Sequence, residues 1–144
     1  MDYPEPPIVP PLSLPHKQTF IILHGRGSSA DKFGPPLLDT PLSAKPPSLA
    51  HPSTERPPLG IQSLATAFPH ARFVFPSAPR RRATLYKRKH TPQWFDSWDL
   101  KPPDIEREEL QNEGLRETTA YLHQLLRDEI ELVPGVPRTS SSAV

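Results

Sequence analysis

The residues best placed to do chemistry are His24, Gly25, Arg26 and Gly27, which follow directly on the apolar run Phe20–Leu23. Glycine permits a sharp turn there, and a glycine loop of this kind suits an oxyanion. His24 offers an imidazole, either as a general base or as a side chain that buttresses the loop. Its position between a strand end and two glycines favours the buttress. Arg26 offers a cation to an anionic substrate. The other histidines, His16, His51, His70, His90 and His123, show no metal-ligand spacing with one another, so no metal site is expected. Cysteine is absent, which excludes disulfides and thiolate sites. Ser140, Ser141 and Ser142 have no glycine two residues before or after them, and Gly-x-Ser-x-Gly occurs nowhere.

The elements that must hold the loop follow from the apolar patterning. Lys17 to Leu23 is expected as a strand covered on both faces, because its apolar residues run without alternation. Arg72 to Phe75 is a second such run, ended by Pro76. Between them, Gly60 to Phe68 places Ile61, Leu64, Ala65 and Phe68 on one helical face before Pro69. Strand, helix and strand in this order predict one right-handed unit with parallel neighbours. Ile8-Val9 can form a two-residue strand, and Phe33 to Leu38 a short helical turn. Residues 76–103 read as a long irregular connection carrying Trp94, Phe95 and Trp98. The last and longest helix is expected from Asp104 to Val133, capped by Asp104 and ended by Pro134-Gly135. Its stripe of Leu115, Leu122, Leu126, Ile130 and Val133, widened by Leu125, is expected to face the core. The fold class is α/β: a short, mostly parallel sheet with flanking helices and proline-rich loops.

Composition limits how much of this can be ordered. Of 144 residues, 22 are proline and only 35% are hydrophobic. Few short strands bury little, whereas each ordered residue costs ~1–2 kcal/mol of backbone entropy; the isolated chain is expected to be marginal. The expected organisation is a proline-rich arm over 1–16, one domain over 17–133 with a proline-rich insertion at 39–58, and a disordered tail over 134–144. The arm also has the makings of a PxxP-type ligand. Net charge is +1 but polarised. Residues 80–90 hold six lysines and arginines and no acid, whereas 104–131 hold nine acids against three arginines. The basic run has two readings, a nucleic-acid or membrane binder and a solvated surface paired with the acidic helix, and the second is preferred. No signal peptide and no apolar stretch of ~18 residues is visible; the cytosol is the expected location, with the nucleus as a second.

Five stretches, in order, give the chain a family likeness. They are Thr19-Phe-Ile-Ile-Leu-His-Gly-Arg-Gly-Ser-Ser, Ala67-Phe-Pro-His-Ala-Arg-Phe-Val-Phe-Pro, Arg81-Arg-Ala-Thr-Leu-Tyr-Lys-Arg, Gln93-Trp-Phe-Asp-Ser-Trp, and Arg107-Glu-Glu-Leu-Gln through Glu131-Leu-Val. The chain resembles the phospholipase/carboxylesterase family of α/β-hydrolases, which includes the acyl-protein thioesterases. The resemblance implies an α/β-hydrolase fold, incomplete here, and cofactor-free cleavage of a carboxylic ester or thioester through an acyl-enzyme. It implies substrates that are acyl esters or S-acylated proteins, with no nucleic acid. By position, His24, Gly25, Arg26 and Gly27 match the oxyanion loop, with the backbone N–H of Arg26 as donor. Trp94, Phe95 and Asp96 match the substrate pocket, although the aromatics can equally cover a sheet edge and Asp96 can form a turn. The family's serine, aspartate and histidine would follow the last helix, and none matches here. The resemblance therefore implies a truncated chain, inactive alone. Two alternatives stand beside it: a non-catalytic interaction protein that pairs through an open sheet edge, and an anion or nucleic-acid binder acting through residues 80–90. Oligomeric state is not predicted.

Overall fold

A computed structural model of the chain describes residues 2–42, 62–97 and 109–135. Its centre is a three-stranded sheet of β1 (Ile8–Val9), β2 (Gln18–Ile21) and β5 (Ala71–Val74), in the order β1-β5-β2. The expected parallel pairing is present: Phe20 lies opposite Phe73 and Ile21 opposite Val74. The Ile22 N–H bonds to the Val74 carbonyl at 3.0 Å and carries the pairing one residue further. β1 adds an antiparallel edge of two residue pairs beside the four parallel pairs of β2 and β5.

Burial differs between the two strands that the sequence treats alike. β5 lies between two neighbours, and Ala71, Phe73 and Val74 are buried, as is Phe75 just beyond it. β2 is an edge strand among the described residues, only half-buried, and Leu23 is exposed. The expectation of a strand covered on both faces from Lys17 to Leu23 is therefore corrected. An unbroken apolar run shows that a strand can be buried, not which strand receives two neighbours.

The core beside this sheet joins Ala30, Leu38, Ala71, Phe73 and Phe75. Phe20 stacks on Phe73 with centroids 5.4 Å apart and meets Phe68 edge-on at 5.1 Å. α1 (Ala30–Asp39) is a ten-residue helix, longer than the turn expected over Phe33–Leu38, and it runs through Pro35 and Pro36. Those prolines cannot donate to carbonyls four residues back. Packing holds the helix instead: a Cβ on Gly34 would lie 2.9 Å from the Phe75 ring, so only glycine lets α1 approach so closely.

β3 (Pro41–Leu42) and β4 (Gln62–Ser63) pair antiparallel, and α2 (Leu64–Ala67) follows. The helix expected over Gly60–Phe68 is thus reduced to four residues. Ser63 ends the strand and caps α2, its side chain accepting from the Thr66 N–H while Thr66 Oγ1 accepts from the Ser63 N–H. Most of the expected insertion at 39–58 lies outside the described residues.

The largest correction concerns residues 76–103. The basic run is a β-hairpin of β6 (Arg80–Ala83) and β7 (Lys89–Pro92), joined through a 3₁₀ turn at Thr84–Tyr86. Lys87 and Arg88 close it with φ of 52° and 62°, and the Arg88 N–H bonds to the Ala83 carbonyl at 2.9 Å. Burial alternates along β6: Arg81 and Ala83 point inward, Arg80 and Arg82 outward. The period-two signal is present, but it is written in arginines and so escapes a search for apolar alternation.

α3 (Glu109–Leu132) is the long helix. Asp104 and Trp98 lie outside the described residues, as do 136–144 with their three serines. Its buried residues are Gly114, Thr118 and Glu129. Leu115, Leu126 and Ile130, expected in the core, are 40%, 48% and 42% exposed. Leu122, Leu125 and Val133 are half-buried, so the apolar stripe is turned only in part toward the described core.

Segments 2–16 are stitched to this frame. The Phe75 N–H bonds to the Pro7 carbonyl, Ser13 N–H to that of Pro69, and Lys17 N–H to that of His70.

Candidate functional site

The loop after β2 is set by its hydrogen bonds. The Ser28 N–H reaches the Gly25 carbonyl at 3.2 Å, closing a turn over Gly25–Ser28. Gly27, third in that turn, has φ +79°, a region that favours glycine. Its N–H bonds to the Pro92 carbonyl at 2.8 Å, which ties the loop to β7.

His24 is 3% exposed, and both ring nitrogens are occupied. The Ala78 N–H donates to Nε2 at 3.0 Å, so that nitrogen is unprotonated. Nδ1 then carries the proton and donates to the Gly25 carbonyl at 2.8 Å. This is the arrangement of a buttress, with no nitrogen free to act as a base. It also has a consequence one bond away. The Gly25 carbonyl and the Arg26 N–H share one trans peptide plane and point in opposite directions. Fixing the carbonyl by two hydrogen bonds fixes the Arg26 N–H on the other side, where it has no partner among the described residues.

Trp94 connects this loop to the rest. Its indole N–H donates to the His24 carbonyl at 2.8 Å, and its ring lies 5.3 Å from the imidazole. Its own carbonyl accepts from Thr118 Oγ1 of α3 at 2.7 Å. Phe95 is pressed on Gly114, where a Cβ would sit 2.7 Å from Phe95 Cα and 3.1 Å from the Trp94 carbonyl oxygen. Arg26, Tyr86, Gln93, Trp94 and Phe95 line one pocket of about 360 Å³. The structure therefore brings together the loop and two of the three expected pocket residues.

Asp96 stands apart from that wall. Its carboxylate accepts from the Thr84 N–H at 3.0 Å, the Thr84 hydroxyl, the Ser97 N–H at 2.9 Å and Gln93 Nε2 at 3.4 Å. Burial pushes its pKa up, but these hydrogen bonds outweigh it and hold the carboxyl below its ordinary value. Asp96 is thus the clasp of the hairpin turn, and it borders a separate cavity between β6 and α3.

Behind the pocket lies a cluster assembled from three distant segments of the chain. Tyr3 stacks on Tyr121 at 4.0 Å and on Trp94 at 6.5 Å. Its hydroxyl lies 3.0 Å from Thr118 Oγ1 and accepts from Arg81 Nη2 at 3.2 Å. Arg81 pairs with Glu117 at 2.6 Å, and this contact holds the Glu117 carboxyl below its usual value. The basic run does meet the acidic helix, but through an arginine that points inward rather than through exposed pairs. Burial, with Tyr3 beside it, raises the pKa of Tyr121. Of these residues Trp94 was expected in the pocket, and Arg81 and Glu117 fall in the basic and acidic runs expected to pair; Tyr3, Thr118 and Tyr121 carried no signal.

A family model described as phospholipase/carboxylesterase matches residues 53–142, more than half of the chain. Acyl-protein thioesterase 1 of Kluyveromyces lactis is 31% identical over 65 residues, covering 45% of this chain and 27% of that protein. The crystal structure of Zea mays acyl-protein thioesterase 2 superposes with a TM-score of 0.57 at 22% identity, covering 93% of this chain and 43% of that one. The chain therefore spans less than half the length of either relative, and its likeness to the maize structure is one of fold.

Proposed function

The chain belongs to the phospholipase/carboxylesterase family, and from that premise we propose that its described residues form the oxyanion loop and pocket wall of a cytosolic hydrolase of carboxylic esters or thioesters. The fold is of the α/β-hydrolase type and incomplete over these residues. One observation carries the proposal: His24 pins the Gly25 carbonyl and its backbone carbonyl takes the Trp94 indole, so the loop and the aromatic wall are one unit. In this reading the Arg26 N–H donates to the oxygen that gains charge when the acyl carbonyl is attacked. Trp94 and Phe95 hold the acyl chain, with S-acylated proteins among the substrates.

The attacking serine is outside this unit, since no Gly-x-Ser-x-Gly occurs in the 144 residues. The proposal is that these residues alone do not turn over ester. Loss of nucleophile and base together costs on the order of 10⁶ in rate, far more than a preserved oxyanion donor returns. The purified 144-residue chain should release no p-nitrophenol from an acyl ester and take up no fluorophosphonate probe; labelling at a serine would overturn this. In a protein carrying this segment together with a catalytic serine, R26P deletes the one N–H and should lower kcat by ~10²–10³-fold. An unchanged kcat would remove Arg26 from the role.

A second reading rests on the edge of β2, unpaired among the described residues, and on the exposed Leu115, Leu126 and Ile130 of α3. Unpaired strand edges invite pairing, and the segment would then act as a binding partner of an intact relative. A size-exclusion shift on mixing the two would support it, and two unshifted peaks would end it. No helix among the described residues is long and apolar enough to cross a membrane.

A further inference from the structure

Tyr3 is the middle of a hydrogen-bond chain whose direction is fixed. Thr118 Oγ1 gives its single proton to the Trp94 carbonyl at 2.7 Å. At its 3.0 Å contact with Tyr3 it can then only accept, so the Tyr3 hydroxyl donates there. The Tyr3 oxygen in turn accepts from Arg81 Nη2 at 3.2 Å, and Glu117 holds Nη1 of the same guanidinium at 2.6 Å. The order is Arg81 to Tyr3 to Thr118 to Trp94, each group donating to the next. Arg81 and Thr118 are 9% and 7% exposed, so water is poorly placed to replace a lost link. Hydrogen bonds in such a chain polarise one another, and the middle link matters to both ends.

The Tyr3 ring adds a second hold, because it stacks on both Tyr121 and Trp94. Tyr3 does not line the pocket of Arg26, Tyr86, Gln93, Trp94 and Phe95. It reaches that pocket through Trp94, whose indole N–H in turn holds the His24 carbonyl at 2.8 Å and so the loop. Of residues 2–6, Tyr3 alone makes a hydrogen bond or ring contact with the described residues. The next tie along the chain is the Pro7 carbonyl, which accepts from the Phe75 N–H at 3.0 Å. Residues 2–6 therefore seat or leave as one piece, by way of Tyr3. We infer that Tyr3 is a positioning residue for the Trp94 wall and that residues 2–6 form a detachable strap. Seated, the strap fixes Trp94 and with it the loop; released, it frees the wall to move. Coupling between two sites is reciprocal, so a molecule packed against Trp94 also favours the seated strap. The inference stands on the packing around Trp94 and not on what the pocket cleaves.

Hydrogen exchange followed by NMR on the full 144-residue chain tests this. Two protons are compared: the Trp94 indole N–H, and the Ile22 N–H, which bonds to the Val74 carbonyl in the central sheet. Y3F keeps the ring and removes the donor. It should speed exchange of the Trp94 indole by about 10-fold, the effect of one hydrogen bond. Ile22 should stay within about 2-fold, because the opening is local. Y3A removes the stack as well and should speed the indole further. On a T118V background, Y3F should add no more than about 2-fold, since the chain is already cut there. E5Q, at an exposed neighbour in the strap, should change neither proton. Equal acceleration of both protons by Y3F would make Tyr3 a contributor to general stability and overturn the inference. An unchanged indole, or a full Y3F effect on T118V, would overturn it too. Titration with ethyl hexanoate separates this from the hydrolase reading. The ester should bind Y3A about 10-fold more weakly than the parent. Equal affinity for both proteins overturns the coupling and leaves the pocket standing. If the ester shifts Trp94 in neither, the hydrolase pocket falls, and the exchange rates still decide the role of Tyr3.

Discussion

The two faces of α3 divide their chemistry in an unusual way. The inward face presents Gly114, Thr118, Tyr121 and Glu129, and the outward face presents Leu115, Leu126 and Ile130. Each inward group has a named partner. Gly114 seats the Phe95 backbone, Thr118 holds the Trp94 carbonyl, and Tyr121 stacks under Tyr3. Glu129 accepts from Arg72 Nε at 3.0 Å and from Thr19 Oγ1 at 3.2 Å, and so joins α3 to both β5 and β2. The outward leucines have no such role in what is described. The comparison teaches that the fully buried positions of this helix make specific polar contacts and one close backbone approach, while the apolar stripe is at most half-buried, at Leu122, Leu125 and Val133.

Breaking the inward face should cost most. E129A leaves the Arg72 guanidinium without its carboxylate in a mostly buried place, and truncating one member of such a pair costs about 3 kcal/mol. A urea midpoint unchanged by E129A would show that the helix is held elsewhere. G114V forces a side chain into space that Phe95 already fills, and overpacking of this kind costs about 1–3 kcal/mol. The loss should be accompanied by altered Trp94 fluorescence, because the displaced backbone carries that ring.

A pH titration sharpens the contrast. Asp96 and Glu117 both have folded pKa values below their ordinary ones. Each therefore contributes stability that is fully present above the usual carboxylate range and is lost as pH falls through the depressed folded value. Thermal stability should decline below about pH 4, and D96N should make that decline shallower. A D96N profile parallel to that of the parent would exclude the turn clasp as its cause. The smallest effect is expected outside: L126K and I130K should shift stability by no more than about 0.5 kcal/mol. A large loss in either would mean that the stripe is covered, and in that case size-exclusion should show an oligomer.

Much of the central sheet was legible because its signals are local. Phe20–Ile21 and Arg72–Val74 are apolar or half-apolar runs ended by glycine or proline, and they pair in the expected parallel sense. The loop from His24 to Gly27 was legible for the same reason, since sharp turns demand glycine. The hairpin at 80–92 was not, because its turn uses Lys87 and Arg88 in left-handed conformations in place of the usual asparagine and glycine. α1 was under-read because Pro35 and Pro36 argue against a helix until the Gly34–Phe75 contact is known.

By itself the sequence determined the period of each segment, the points where the backbone must turn, and which residues bear chemistry. Only the tertiary structure decided which side of α3 is inside, that Asp96 clasps a turn and borders a different cavity from Trp94 and Phe95, and that Tyr3 lies behind Trp94. Periodicity defines a face without saying what meets it. Burial is settled by partners distant in the chain, such as Arg72 for Glu129 and Phe95 for Gly114, and no window of neighbouring residues contains them.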